Sequence, residues 1–250
     1  MKDQSRPVII TTSWDDGAYS DLELAYILKK YDIPSTFYLP IKNSERSCLG
    51  SEEIRKISSQ FDVGGHSLNH VNLTQIPMDE AKREILECKN ALSEITGKEI
   101  KMFCYPFGAY NEGVVESVRQ AKYLGARTDK LSKTGIDDVF RLGTTVIALD
   151  VNRLHYVKET MLIKNFKMAQ NLLKNVKTDQ WIDIAIASLD YVVKNGGVWH
   201  LRGHSWEIDE NNDWEKLENI CVYIKDIEKT HNNIMLLNNS ELVTLYNNYL

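Results

Sequence analysis

Short apolar and β-branched runs alternate with longer stretches in which apolar residues recur three and four positions apart, along most of the 250-residue chain. The short runs at residues 8–13, 36–39, 61–64, 102–104, 126–128, 144–149, 198–201 and 234–237 are bounded by turn residues and read as strands. The longer stretches predict helices with readable ends. Ser20 to Glu23 ("SDLE") is a capping box, in which the serine and the glutamate satisfy each other's exposed amides; it opens a helix that closes near Tyr31. Pro77 tolerates the missing N–H of a first turn and Gly97 suits a left-handed stop, so residues 77–96 form a long helix. Residues 111–124 end at Gly125, residues 181–194 end before Asn195 and Gly196, residues 158–177 are helical, and Ser240 opens a terminal helix. Such alternation indicates an α/β fold with a mainly parallel sheet. With no repeat, low-complexity tract or linker, residues 1–250 read as one domain.

Composition narrows the class of partner. Thirty basic against 35 acidic side chains give a net charge of -5, with no basic tract to neutralise phosphates, which excludes nucleic acid. No 18 apolar residues follow one another, so no integral membrane segment is expected, and no apolar stretch near the start suits a secretion signal. The chain as it stands reads as cytoplasmic; a leader removed beforehand would leave the same sequence. Cys48, Cys88, Cys104 and Cys221 stand far apart without a C-x-x-C, which fits free thiols in a reducing compartment and excludes a four-cysteine zinc site. Nothing in the sequence bears on oligomeric state.

The polar residues worth explaining follow the strands. "WDDG" comes after the first, "GHSLNH" after the third, "YPFGAYN" after the fourth and "GHSWE" after the one beginning at Val198. In parallel α/β folds these loops converge on one end of the sheet. Asp16, His66 and His70 offer one carboxylate and two imidazoles, and a spacing of four lets a helical turn or a tight loop aim both rings at one point. Three protein ligands leave a fourth position for water, the mark of a hydrolytic metal site. Each motif alone has a blander reading: H-x-x-x-H as a surface feature, "DDG" as a turn with solvated acids, His204 as a buried ring bonded to a backbone carbonyl. His155, His200 and His231 have no partner motif.

Taken together and in order, "SWDDG", "HSLNH", "YPFG" and "GHS" resemble the polysaccharide deacetylases with a NodB-homology domain, of the carbohydrate esterase family 4 type. The likeness runs from Ile10 to about Asn219 and is poor between Leu131 and Asn175. It implies a distorted (β/α) barrel of seven or eight strands and one divalent metal, zinc first, with cobalt, nickel, iron or manganese able to occupy such a site. It implies Asp15 as general base, Asp16, His66 and His70 as metal ligands, Ser67 as a brace between the histidines, and His204 as general acid. The Phe107 N–H would hold the oxyanion, and the substrate would be an N-acetylated oligo- or polysaccharide or a lipid-linked glycan.

Two departures stand out. An arginine often pairs with the base in such proteins, and Cys104 takes its place here; Arg127 on the next strand, or else Arg202, would have to supply the cation. The family's aspartate pair followed by tryptophan is not visible, which leaves Glu207 to tune His204. Trp14, Tyr105, Pro106 and Trp206 flank the motifs as candidate sugar contacts, with core packing as the competing role. Besides N-deacetylation, the same residues are compatible with hydrolysis of another amide such as an N-formyl group, or with a barrel that binds glycans without turnover.

Overall fold

The structure, a computed structural model, describes residues 7–249. Strands and helices alternate in the order β1 (Val8–Asp15), α1 (Asp21–Lys30), β2 (Ser35–Leu39), α2 (Ser51–Ser58), β3 (Asp62–Gly65), α3 (Met78–Thr96), β4 (Met102–Cys104), α4 (Glu112–Gln120), β5 (Gly125–Arg127), β6 (Val146–Ile147), α5 (Arg153–Leu162), α6 (Phe166–Asn175), α7 (Trp181–Asn195), β7 (Gly197–His204), α8 (Ser205–Glu210), α9 (Trp214–Thr230), β8 (Ile234–Leu236) and α10 (Asn239–Tyr249). Every strand pair is parallel, and the order across the sheet is β5-β4-β3-β2-β1-β7-β6. β8 joins β1 at Val8 to Ile10, on the edge that β2 takes further along. The sheet curls until Leu142, just ahead of β6, bridges to Arg127 of β5. The expected distorted barrel is the observed one.

Strand alternation divides the apolar residues between two sides of this curled sheet. Trp14, Phe37, Leu39 and Phe103 pack outward among the helices in the larger cluster, while Tyr38, Met102 and Cys104 face inward. The inner cluster is completed by Leu242 and Val243 of α10, which plugs the end of the barrel away from the site. Asn239 ties that plug down: its side chain accepts from Thr11 Oγ1 (2.9 Å) and donates to the Tyr38 hydroxyl (2.8 Å). Outward packing is tight enough to dictate residue size. A Cβ on Gly203 would lie 2.7 Å from the Trp14 ring, so β7 approaches β1 only because that position is glycine.

Several sequence expectations need correction. Ser20 does not cap α1, because its hydroxyl bonds Ser205 Oγ at 2.8 Å instead. The helix expected over 158–177 is two helices, α5 and α6, broken where Lys164 turns left-handed and Asn165 accepts from Met168 N at 3.2 Å as a new N-cap. Helices α2, α8 and α9 were not foreseen, although Leu217, Ile220, Cys221, Ile224 and Ile227 in α9 keep helical spacing and are buried. No helix among the described residues is long and apolar enough to cross a membrane.

Candidate active site

Asp15 is the last residue of β1, and Asp16 and Gly17 turn the chain with φ of 79° and 63°. Successive strand residues point to opposite faces. The left-handed turn at Asp16, costly for a residue with a Cβ, is what lets two adjacent carboxylates both line the cleft. In the sheet register Asp15 lies between Tyr38 and His204.

His66 and His70 come from the loop after β3, and this loop is not helical: Ser67 and His70 both adopt positive φ. Ser67 Oγ accepts from Val71 N (3.2 Å), as a brace should. A second support comes from α3, where the buried Glu84 carboxylate accepts from Asn69 N (2.8 Å) and Asn69 Nδ2 (2.6 Å). His66 Nδ1 donates to the Cys104 carbonyl (2.9 Å), which turns its Nε2 toward Asp16 Oδ1 at 3.6 Å. His70 Nε2 lies 3.1 Å from the same oxygen, and its buried Nδ1 has no partner among the described residues.

Arg127 of β5 reaches across the barrel end and donates to both oxygens of Asp15. Burial alone would raise the Asp15 carboxyl; Arg127, followed by His66 and His204, outweighs it and holds the group below the ordinary carboxylate range. Burial acts the same way on Asp16, and hydrogen bonds from His66 and His70 pull it well below that range. From the neighbouring strand β7, His204 Nε2 stands 3.8 Å from Asp15 Oδ2 while its Nδ1 donates to Glu207 Oε2 at 2.7 Å.

These side chains share one cleft of about 290 Å³ with Glu45, Tyr105, Phe107, Gly108, Asp129, Ile147, Arg202 and Trp206. Asp16, His66 and His70 each bring a ligand atom within 4.8 Å of the other two, all three are buried, and one carboxylate with two imidazoles suits a divalent ion. The donor set therefore fits a metal.

The sugar-contact candidates divide. Trp14 is fully buried on the outer face of β1 and offers no ring to a sugar. Tyr105 is also core: it is 1% exposed, and its hydroxyl donates to the Phe140 carbonyl (2.9 Å). Pro106 is buried at the start of the turn that carries Phe107. Trp206 does line the cleft, but its Nε1 donates to Asp16 Oδ2 (3.0 Å) and the Arg46 guanidinium covers its ring at 3.5 Å, so it is held rather than open. Phe107 is 53% exposed, with φ of 58° and its ring 4.8 Å from that of His70. Sequence reading missed Glu84, Arg46 and Asp129; of these only Glu84 carried a signal, as an acid on the apolar face of a predicted helix.

Comparison with known proteins bears on the fold and the family. A crystal structure from Mycobacterium smegmatis matches 98% of this chain and 91% of its own with a TM-score of 0.69 at 14% identity, and the chitin deacetylase of Colletotrichum lindemuthianum matches 95% and 88% with a TM-score of 0.59 at 15% identity. Both show the fold. The peptidoglycan-N-acetylglucosamine deacetylase PgdA of Listeria monocytogenes is 28% identical over 118 residues, which are 44% of this chain and 23% of that protein. The polysaccharide deacetylase profile matches residues 2–126, half of the sequence and the half that carries Asp15, Asp16, His66, His70 and Phe107, so the chain belongs to the polysaccharide deacetylase family.

Proposed function

We propose that this protein is a metal-dependent hydrolase that removes N-acetyl groups from N-acetylhexosamine-containing glycans. The observation that carries the reading is the convergence of Asp15 and His204, 3.8 Å apart, beside the Asp16, His66 and His70 donor set within one cleft. Asp16, His66 and His70 would hold the ion, zinc by preference for two nitrogens and one oxygen. When bound, such an ion polarises a carbonyl and eases loss of a proton from water.

The rest of the chemistry belongs to the chain. Asp15, kept ionised by Arg127, takes the proton of the attacking water. Phe107 sits in the first turn of a short 3-10 segment, where a backbone N–H has no intrahelical acceptor, and its N–H donates to the oxygen that gains charge. His204, oriented by Glu207, gives a proton to the departing amine. A fixed donor of this kind contributes about 3 kcal/mol, and proton transfer about 10²–10⁴-fold in rate, so no single group carries the whole acceleration.

The test is metal content by elemental analysis beside acetate release from a short N-acetylglucosamine oligomer with the metal restored. About one metal per chain with acetate released is the expected result. His66→Ala or His70→Ala loses metal and turnover together; Asp15→Asn keeps the metal and loses roughly 100-fold or more in kcat. Formate released from an N-formyl substrate in place of acetate would reassign the acyl group. Wild-type-like turnover by Asp15→Asn would remove the base assignment.

A further inference from the structure

β7 carries His200, Arg202 and His204 at alternate positions, so the three side chains share the face turned toward the barrel interior. Two of them are paired there: His200 Nε2 meets Ser13 Oγ at 2.8 Å, and His204 reaches Glu207. Arg202, between them, is not. Among the described residues nothing accepts a hydrogen bond from its guanidinium or forms an ion pair with it, and its Nε is buried without a partner. The side chain nevertheless lines the catalytic cleft.

A guanidinium does not escape this position by losing its proton; Arg202 is half-buried, its Nε closed off without an acceptor and its outer nitrogens left to face the cleft. Its charged neighbours do not relieve it. Burial, and then the like charge of Arg127, push its pKa down, and of the two acids that act the other way Asp15 is already engaged through both oxygens by Arg127. Asp129 is exposed, with its carboxylate lying over Gly108, where a Cβ would come within 2.2 Å of it. Asp16 and Glu45 complete the acids of the lining, and neither engages Arg202, so among the described residues this cation faces the reacting groups without a direct partner.

We propose that Arg202 is the anion-recognition residue of this cleft and that its planar fork receives a carboxylate of the ligand within reach of Asp15 and His204. The proposal rests on the deacetylase reading only for the identity of the sugar. Two sources supply such a carboxylate: the acid released when the amide is cut, or an acidic substituent on the sugar itself. A bidentate, charge-assisted contact suits either.

The experiment measures binding rather than turnover, on the full chain after chelation of metal. Acetate, N-acetylglucosamine and N-acetylmuramic acid, which differs from the second by one carboxylate-bearing ether, are titrated calorimetrically into wild type, Arg202→Met and Arg202→Lys. Arg202→Met keeps the length of the stem and is expected to weaken anion binding roughly 10- to 100-fold, with Arg202→Lys falling between it and wild type. Loss for acetate alone assigns the site to the released acid. Loss for N-acetylmuramic acid alone, with N-acetylglucosamine held as before, assigns it to an acidic sugar, and both losses support the shared chemistry. Anion affinities equal in all three proteins, or no anion binding by wild type, overturn the proposal. Should Arg202→Met fail to fold, Arg202→Lys alone decides, since it keeps the charge and removes the fork. Failure of the deacetylase reading would appear separately, as absent acetate release by metal-loaded wild type.

Discussion

Cys104 and Arg127 occupy the same rung of neighbouring parallel strands, and both meet Asp15: the Cys104 Sγ lies 4.0 Å from Oδ2, and the Arg127 guanidinium takes both oxygens. Where the family resemblance leads one to expect an arginine there is a thiol, and the cation that meets the carboxylate comes from the neighbouring strand. Arg127→Cys alone should cost about 3–5 kcal/mol of stability, because it strands a buried charge, and should reduce kcat/KM by roughly 100-fold. Adding Cys104→Arg transposes the pair and is expected to recover at least about 10-fold of that loss. The double variant is read by denaturant unfolding and steady-state kinetics; if it is no better than the single one, ion pairing with Asp15 is not what Arg127 provides.

Trp206 holds the Asp16 oxygen that points away from His70, and Arg46 covers the indole. Trp206→Phe keeps the ring and removes the donor. Metal affinity is expected to fall roughly 10- to 100-fold, as with other groups that orient a ligand from behind. Competition with a chromophoric chelator measures this directly, and unchanged affinity would leave Trp206 with a packing role only.

Asp21, the first residue of α1, is fully buried, and among the described residues neither carboxylate oxygen has a partner in hydrogen-bond geometry. Burial raises its carboxyl well above the usual range; the Ser205 hydroxyl offsets part of this, and the charges of Asp16 and Asp15 add to it. The folded chain therefore keeps a proton that the unfolded chain releases near pH 3.9, and stability declines by about 1.4 kcal/mol per pH unit from there up to the folded value. Asp21→Asn, a neutral isostere, removes that slope. It should match wild type at pH 3.5 and exceed it at pH 7 in urea unfolding; equal stability at pH 7 would mean the carboxyl finds compensation.

Glu207 is the acceptor for His204 Nδ1 at 2.7 Å, which orients the ring and leaves Nε2 as the nitrogen that gives the proton. Glu207→Gln is expected to lower kcat by about 10-fold or more while KM and metal content stay as they were. A change confined to KM would show that Glu207 acts on substrate instead.

The site was legible where it depends on which side chains stand at strand ends, because that is a local property of the sequence. Asp15, Asp16, His66, His70 and His204 all fall in the cleft for this reason, and the choice of Arg127 over Arg202 followed from strand adjacency. What escaped depends on packing between distant segments. Glu84 serves the histidine loop only because α3 lies against it, and Ser20 deserts its helix for Ser205, a residue of α8. Trp14 was left between sugar contact and core because a tryptophan beside a motif carries no mark of which strand face it occupies; register against Gly203 decides for the core.

The pairing of β1 has a consequence for how the chain is made. Its first strand gains β2 early but its full-length partner, β7, only after most of the sequence has left the ribosome. Until then Val8–Asp15, rich in β-branched residues, presents an open edge of the kind that recruits other chains. The two carboxylates at its end, which in the finished protein face Arg127 and the histidines, are in the growing chain bare charges on that edge. Charges flanking an unpaired apolar strand discourage its pairing with other chains, so Asp15→Asn with Asp16→Asn is expected to raise aggregation during synthesis as well as to empty the site.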